Sequence, residues 1–216
     1  MRVIQMKPLE EDFIHVIKDK ILRVDALILC EGKYENEYIK SIIRKLNLRL
    51  EGTVSVADCA GLSNVPFMTQ VIITMSSMAR KLRVLALLVD AEEKEPNERL
   101  SDLVNSLRSR GVALAQAKQI CDQVFEAQLS GPSRSLWVLI SISGLHRLNR
   151  PKHTLEDHVI ELLELEGCPI PQEKYELLRR GLEIISKASE DNVCRAFPHI
   201  RCMLARMGHL LRLTCQ

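Results

Sequence analysis

The stretch Leu82-Arg83-Val84-Leu85-Ala86-Leu87-Leu88-Val89, followed at once by Asp90-Ala91-Glu92, decides how this chain is read. Every residue of the run except Arg83 is apolar, and a short continuous apolar run of this kind predicts a buried strand. Pro96 and Asn97 then open a segment in which Leu100, Leu103, Val104 and Leu107 recur at helical spacing. The same order occurs twice upstream. Ala26 to Cys30 (ALILC) is a second apolar run, and Tyr38, Ile39, Ile42, Ile43 and Leu46 after it share one helix face. Val54 to Ala57 reads as a strand, Gly61 and Ser63 as a turn, and Val65 to Met78 as a helix with Phe67, Met68, Val71, Ile72 and Met75 toward the core. Three strand-helix units in succession predict an α/β fold on a parallel sheet.

Past Gly111 the pattern changes. Gln123 to Leu129 and Ser135 to Ile142 flank Gly131-Pro132 and predict a hairpin, while Val112 to Gln119 carries no assignable pattern. Thr154 with Asp157 three residues on has the form of a capping box, opening a helix with Leu155, Val159, Leu162 and Leu163 on its apolar face. Beyond Cys168-Pro169-Ile170-Pro171 the chain reads as helical throughout. The expected organisation is a helical lead-in over 1–24 (amphipathic over 8–22), an α/β domain over 25–170 and a helical extension over 171–216. In the last helix Ile200, Met203, Leu204, Met207 and Leu211 form an apolar stripe that must be buried, against the chain's own sheet or, alternatively, in a homodimer.

Composition bounds the function classes. With 216 residues and 46% hydrophobic content the chain can bury a full core. No run approaches a membrane span, and the N-terminus lacks the apolar centre of a signal peptide, so a cytoplasmic location is expected. The seven cysteines show no C-x-x-C pair or zinc-type spacing; buried free thiols are the expected state, with a disulfide as the alternative. A net charge of +2 does not announce a nucleic-acid protein. Two basic stretches stand out nonetheless: Arg195, Arg201, Arg206 and Arg212 near the C-terminus, and His146, Arg147, Arg150, Lys152 and His153 before Thr154. A solvated surface and a phosphate-binding one both fit them.

The chemistry lies at the strand ends. Ligands of open parallel sheets bind beyond the carboxyl ends of the strands, and Glu31 and Asp90 each follow the last apolar residue of such a strand. If the two strands are neighbours, about 4.8 Å apart, both carboxylates and that of Glu92 can approach one cation. Three oxygen donors suit magnesium, which keeps waters for phosphate oxygens to replace. Acids after strands also cap helices, a reading that fits Asp90 alone better than it fits Asp90 and Glu31 together. Gly61, Ser63 and Asn64 form either a phosphate-receiving turn or an ordinary turn with an N-cap. Glu156 is either a further metal acid or a favourable charge in a helix's first turn, and Asp157 is expected to cap.

These residues resemble a known family. Leu29-Cys30-Glu31-Gly32-Lys33-Tyr34-Glu35 resembles the E-G-x-x-[DE] opening of Toprim domains, especially those of OLD-family nucleases. Val89-Asp90-Ala91-Glu92 is similar to the D-x-D that ends their third strand, and Asp58-Cys59-Ala60-Gly61 with Asn64 to the glycine turn between. The resemblance covers roughly residues 25–110. The Thr154-Leu155-Glu156-Asp157 helix start, also similar to that of an uncharacterised archaeal Toprim-like family, carries it to about 165. It implies a Toprim-like, Rossmann-like sheet flanked by helices, and a magnesium-dependent activity (manganese as an alternative) on nucleic-acid phosphodiesters, a nuclease in the first instance. Glu31 would act as general acid or base and Asp90 with Glu92 would hold the metal. Glu92 departs from the family's usual aspartate. The alternatives are a non-catalytic module that binds nucleic acid or a nucleotide, and a partner-binding protein.

Overall fold

The computed structural model describes residues 3–6, 23–48, 50–76, 81–130 and 135–213. The expected lead-in helix over 8–22 lies outside these. A seven-stranded sheet runs through the molecule in the order β1-β3-β2-β4-β7-β6-β5. Its strands are β1 (Val3–Met6), β2 (Ala26–Cys30), β3 (Val54–Asp58), β4 (Val84–Asp90), β5 (Lys118–Cys121), β6 (Val124–Ser130) and β7 (Ser135–Ser143). The first five in this order are parallel to one another; β6 and β5 continue the sheet antiparallel. This is the expected α/β class, a mostly parallel sheet consistent with a Rossmann-like Toprim fold.

Helices cover both faces, which is why the central strands show no polar alternation. On one face Ala26, Ile28 and Cys30 of β2 and Val84, Ala86 and Leu88 of β4 pack under α1 (Lys33–Lys45), α4 (Leu155–Leu165), α5 (Lys174–Lys187), α6 (Glu190–Ala196) and α7 (Pro198–Leu213). On the other, Leu27, Leu29, Leu85, Leu87 and Val89 meet α2 (Val65–Ser76) and α3 (Pro96–Ser109). The helices past the double-proline segment therefore share the core of the sheet. Ile200, Met203, Leu204, Met207 and Leu211 are all fully buried within this chain, so the α7 stripe leaves no apolar face for a second subunit.

One unassigned stretch is resolved and two expectations are corrected. Residues 112–117 are irregular, but Lys118–Cys121 adds an edge strand to the hairpin. Cys121 and Cys202 are disulfide-bonded, joining that edge to α7, whereas Cys30, Cys59, Cys168 and Cys194 are free. The capping box at Thr154 does not form: the Thr154 hydroxyl donates to Glu156 Oε2 at 2.5 Å, and the Asp157 carboxylate is taken by tertiary partners. Those partners are the Leu145 amide at 2.9 Å, Arg150 at 3.0 Å and His153 Nδ1 at 3.0 Å.

Candidate metal centre

Because β2 and β4 are adjacent and parallel, with Cys30 level with Leu88, the residues just past their apolar runs emerge side by side at the carboxyl edge of the sheet. The Glu31 amide donates to Leu88 O at 3.1 Å, and the Asp90 amide donates to Glu31 Oε2 at 3.3 Å, so the end of β4 holds both the backbone and the carboxylate of Glu31. Glu92 is fixed differently. Its backbone forms a two-way bridge with His153, with the Glu92 amide donating to His153 O at 2.8 Å and the reverse bond at 2.7 Å. This holds Glu92 at φ 58°, a conformation that a side-chain-bearing residue adopts only when its surroundings impose it. The result is that Glu31, Asp90 and Glu92 each present a carboxylate oxygen, all within 4.8 Å of one another.

The trio's electrostatics favour an added cation. Asp90 is buried, and burial first, then the charges of Glu35, Glu31 and Glu156, push its carboxyl well above the ordinary range. The Leu155 amide opposes this rise, donating to Oδ1 at 3.1 Å; Asp90 thus also caps α4 from across the crevice. Burial likewise raises Glu31, opposed by the amides it accepts and aggravated by Glu92. Both carboxylates receive hydrogen bonds from backbone amides, and although Arg99 lowers Glu31 and Lys174 interacts with Asp90, both carboxyls stay raised, so positive charge in the crevice is still short. Three hard oxygen donors in a charge-deficient crevice fit magnesium or manganese by chemistry, and offer neither the histidine nor the thiolate that zinc favours.

The C-terminal region of the Xanthomonas campestris pv. campestris OLD protein has a similar chain path. Its mercury-phased structure matches with a TM-score of 0.41 at 14% identity, covering 89% of this chain and 98% of that one. Its iodine-phased structure gives 0.39 at 15% identity, over 88% and 97%. No family model matches, and no curated protein matches.

Other expected residues lie near the trio but outside it. Glu156 is ion-paired with Lys174 and bonded by Thr154, and these contacts hold its carboxyl below the ordinary range against the opposing effect of burial. In the turn, Gly61 (φ 121°) donates its amide to Glu31 O at 2.8 Å, and the Asn64 side chain donates to Cys59 O and Ala60 O at 3.0 and 3.2 Å. The Gly61 amide braces the Glu31 backbone and Asn64 braces the turn, while Ser63 is exposed.

Glu35, Lys174 and Arg99, which had no assigned role in the sequence reading, belong to this neighbourhood, as does Lys152 of the basic stretch before Thr154. Glu35, on the first turn of α1, has its carboxyl raised by burial and by the charges of Glu31 and Glu156. Its signal was available: it is the last acid of the Glu31-Gly32-x-x-Glu35 opening. Lys174 pairs with Glu156, Lys152 with Glu92 at 2.8 Å, and Arg99 donates to Ala91 O at 3.0 Å, bracing the segment between Asp90 and Glu92. The lysines lie far along the chain from the acids, and only the fold reveals these pairings.

A first test follows from Asp90. Asp90→Asn keeps an oxygen for the Leu155 amide but removes a charge crowded by other acids. The metal-free protein should melt roughly 2–4 °C higher, the response of a chain this size to about 1 kcal/mol. Magnesium affinity should fall at least about tenfold, the loss that even an outer partner of a metal ligand causes. Paired melting and titration measure both. A collapse of the melting temperature with cation binding unchanged would make Asp90 a structural cap alone.

Proposed function

We propose that this chain is a divalent-metal-dependent enzyme of nucleic-acid phosphodiesters, a nuclease, with magnesium as the expected ion and manganese as the alternative. The observation that carries the reading is the convergence of Glu31, Asp90 and Glu92 within 4.8 Å at the carboxyl edge of a parallel sheet. A bound ion would supply polarisation of phosphoryl oxygens and orientation of water. Asp90 and Glu92 are the residues to hold it. Glu31, whose carboxyl burial raises above its ordinary value, is the residue to move the proton. In the Gly61 turn, phosphate contact falls to Ser63, because the neighbouring donors are engaged within the turn.

The test is a cleavage assay with magnesium and with manganese on single- and double-stranded DNA and RNA, run beside Glu31→Gln. Cleavage that needs the metal and disappears in the variant supports the proposal. Salt-sensitive binding with no cleavage under any condition replaces it with a non-catalytic nucleic-acid-binding module.

A further inference from the structure

The basic stretch from His146 to His153 is divided by its partners. Arg147 pairs with Glu161 and Arg150 with the fully buried Asp157, acids that belong to α4 and not to the trio. Lys152 is different. Among the described residues, its contact with Glu92 is the one ion pair that a trio carboxylate makes. Its ammonium lies 2.8 Å from Glu92 Oε2, with the two side chains 59% and 27% exposed.

Three physical points follow. An ion pair this exposed contributes little to stability, so it exchanges readily. Glu92 cannot give its full charge to a cation and to Lys152 together, so the two compete for one carboxylate. And Lys152 stays at the site when displaced, because the next residue, His153, is tied to Glu92 by both backbone bonds of the bridge. A lysine ammonium released there is a compact charge with three donors and no carboxylate of its own, suited to a phosphate oxygen.

We propose that Lys152 is an exchangeable counter-ion: it neutralises Glu92 while no divalent cation is held, and contacts a phosphate oxygen of the substrate when one is. This inference rests on the metal-centre reading above. It makes cation and phosphate binding mutually reinforcing, since each favours the state in which Lys152 has left Glu92.

The experiment titrates manganese into the intact protein and into Lys152→Met, then titrates thymidine 5′-monophosphate, which has no phosphodiester to cleave, with and without manganese. Lys152→Met should bind manganese about three- to fivefold more tightly, the weight of an exposed ion pair. It should bind the nucleotide about tenfold more weakly in the presence of manganese, the weight of a charge-assisted hydrogen bond, and equally without it. Lys94→Met is the control, because Lys94 sits two residues from Glu92 but pairs with Asp102. Manganese affinity unchanged in Lys152→Met, equal tightening in Lys94→Met, or nucleotide binding insensitive to Lys152 each overturns the proposal. A wild-type protein that binds no manganese overturns the metal-centre reading itself, and the counter-ion role with it.

Discussion

Glu31→Gln is expected to lower metal-dependent cleavage by about 10²- to 10⁴-fold, the usual contribution of a positioned general acid or base. The substitution is nearly isosteric, and its side-chain oxygen can still accept the Asp90 amide that Glu31 Oε2 accepts at 3.3 Å. The backbone at this position is also held independently, by the Glu31 amide on Leu88 O and by the Gly61 amide on Glu31 O. What is lost is the proton site and the charge. Because burial opposes that charge in the folded protein, losing it should leave the metal-free protein at least as stable as wild type. The diagnostic pattern is therefore a large fall in rate at unchanged or raised melting temperature. A fall in rate matched by a fall in melting temperature would assign Glu31 to the fold, and an unchanged rate would remove it from the chemistry.

How far the sequence led can be traced through single residues. Ala26–Cys30 and Val84–Asp90 were legible as strands because both faces of each are covered, which leaves an unbroken apolar run. The acids after them were legible for the same reason, as the first polar residues past that cover. That β2 and β4 lie side by side was not legible, since strand order is set by how crossovers pack and not by any one segment. Local motifs failed where partners outside the motif took their place. Thr154 and Asp157 have the spacing of a capping box, but Asp157 is worth more to Leu145, Arg150 and His153, and Asp90 takes over the first amide of α4. Lys118–Cys121 was illegible because a short, half-exposed edge strand carries no periodic signal, and the Cys121–Cys202 pairing because 81 residues separate the partners.

Acid should destabilise the protein through His158, which the sequence reading left without a role. Its ring is fully buried: Nε2 accepts the Gly144 amide at 2.9 Å, and Nδ1 donates to Ala196 O at 2.8 Å. Burial drives its pKa from 6.5 to about 4, and the adjacent His199, 4.1 Å away between ring centroids, is pushed down as well by burial and by His158. The folded chain thus binds this proton less readily than the unfolded one. The stability it secures is fully present above pH 6.5 and is lost as pH falls toward about 4, amounting to about 3 kcal/mol. Asp90, Glu31 and Glu35 act with the opposite sign, because carboxyls raised by the fold gain protons as pH falls and relieve their mutual repulsion. Denaturant unfolding of wild type alone would mix the two effects. Subtracting His158→Gln at each pH cancels the acids, which both proteins share. That difference should shrink by about 3 kcal/mol between pH 7 and pH 4, and a difference independent of pH would show that His158 is not held neutral by the fold. The consequence reaches the metal centre. Gly144 sits at φ 132°, where an added Cβ would lie 2.6 Å from that of His153, so the turn it makes admits no other residue without displacing the segment that bridges Glu92. Protonating His158 turns the acceptor of the Gly144 amide into a donor facing it, so this bond is lost at the residue that packs against His153.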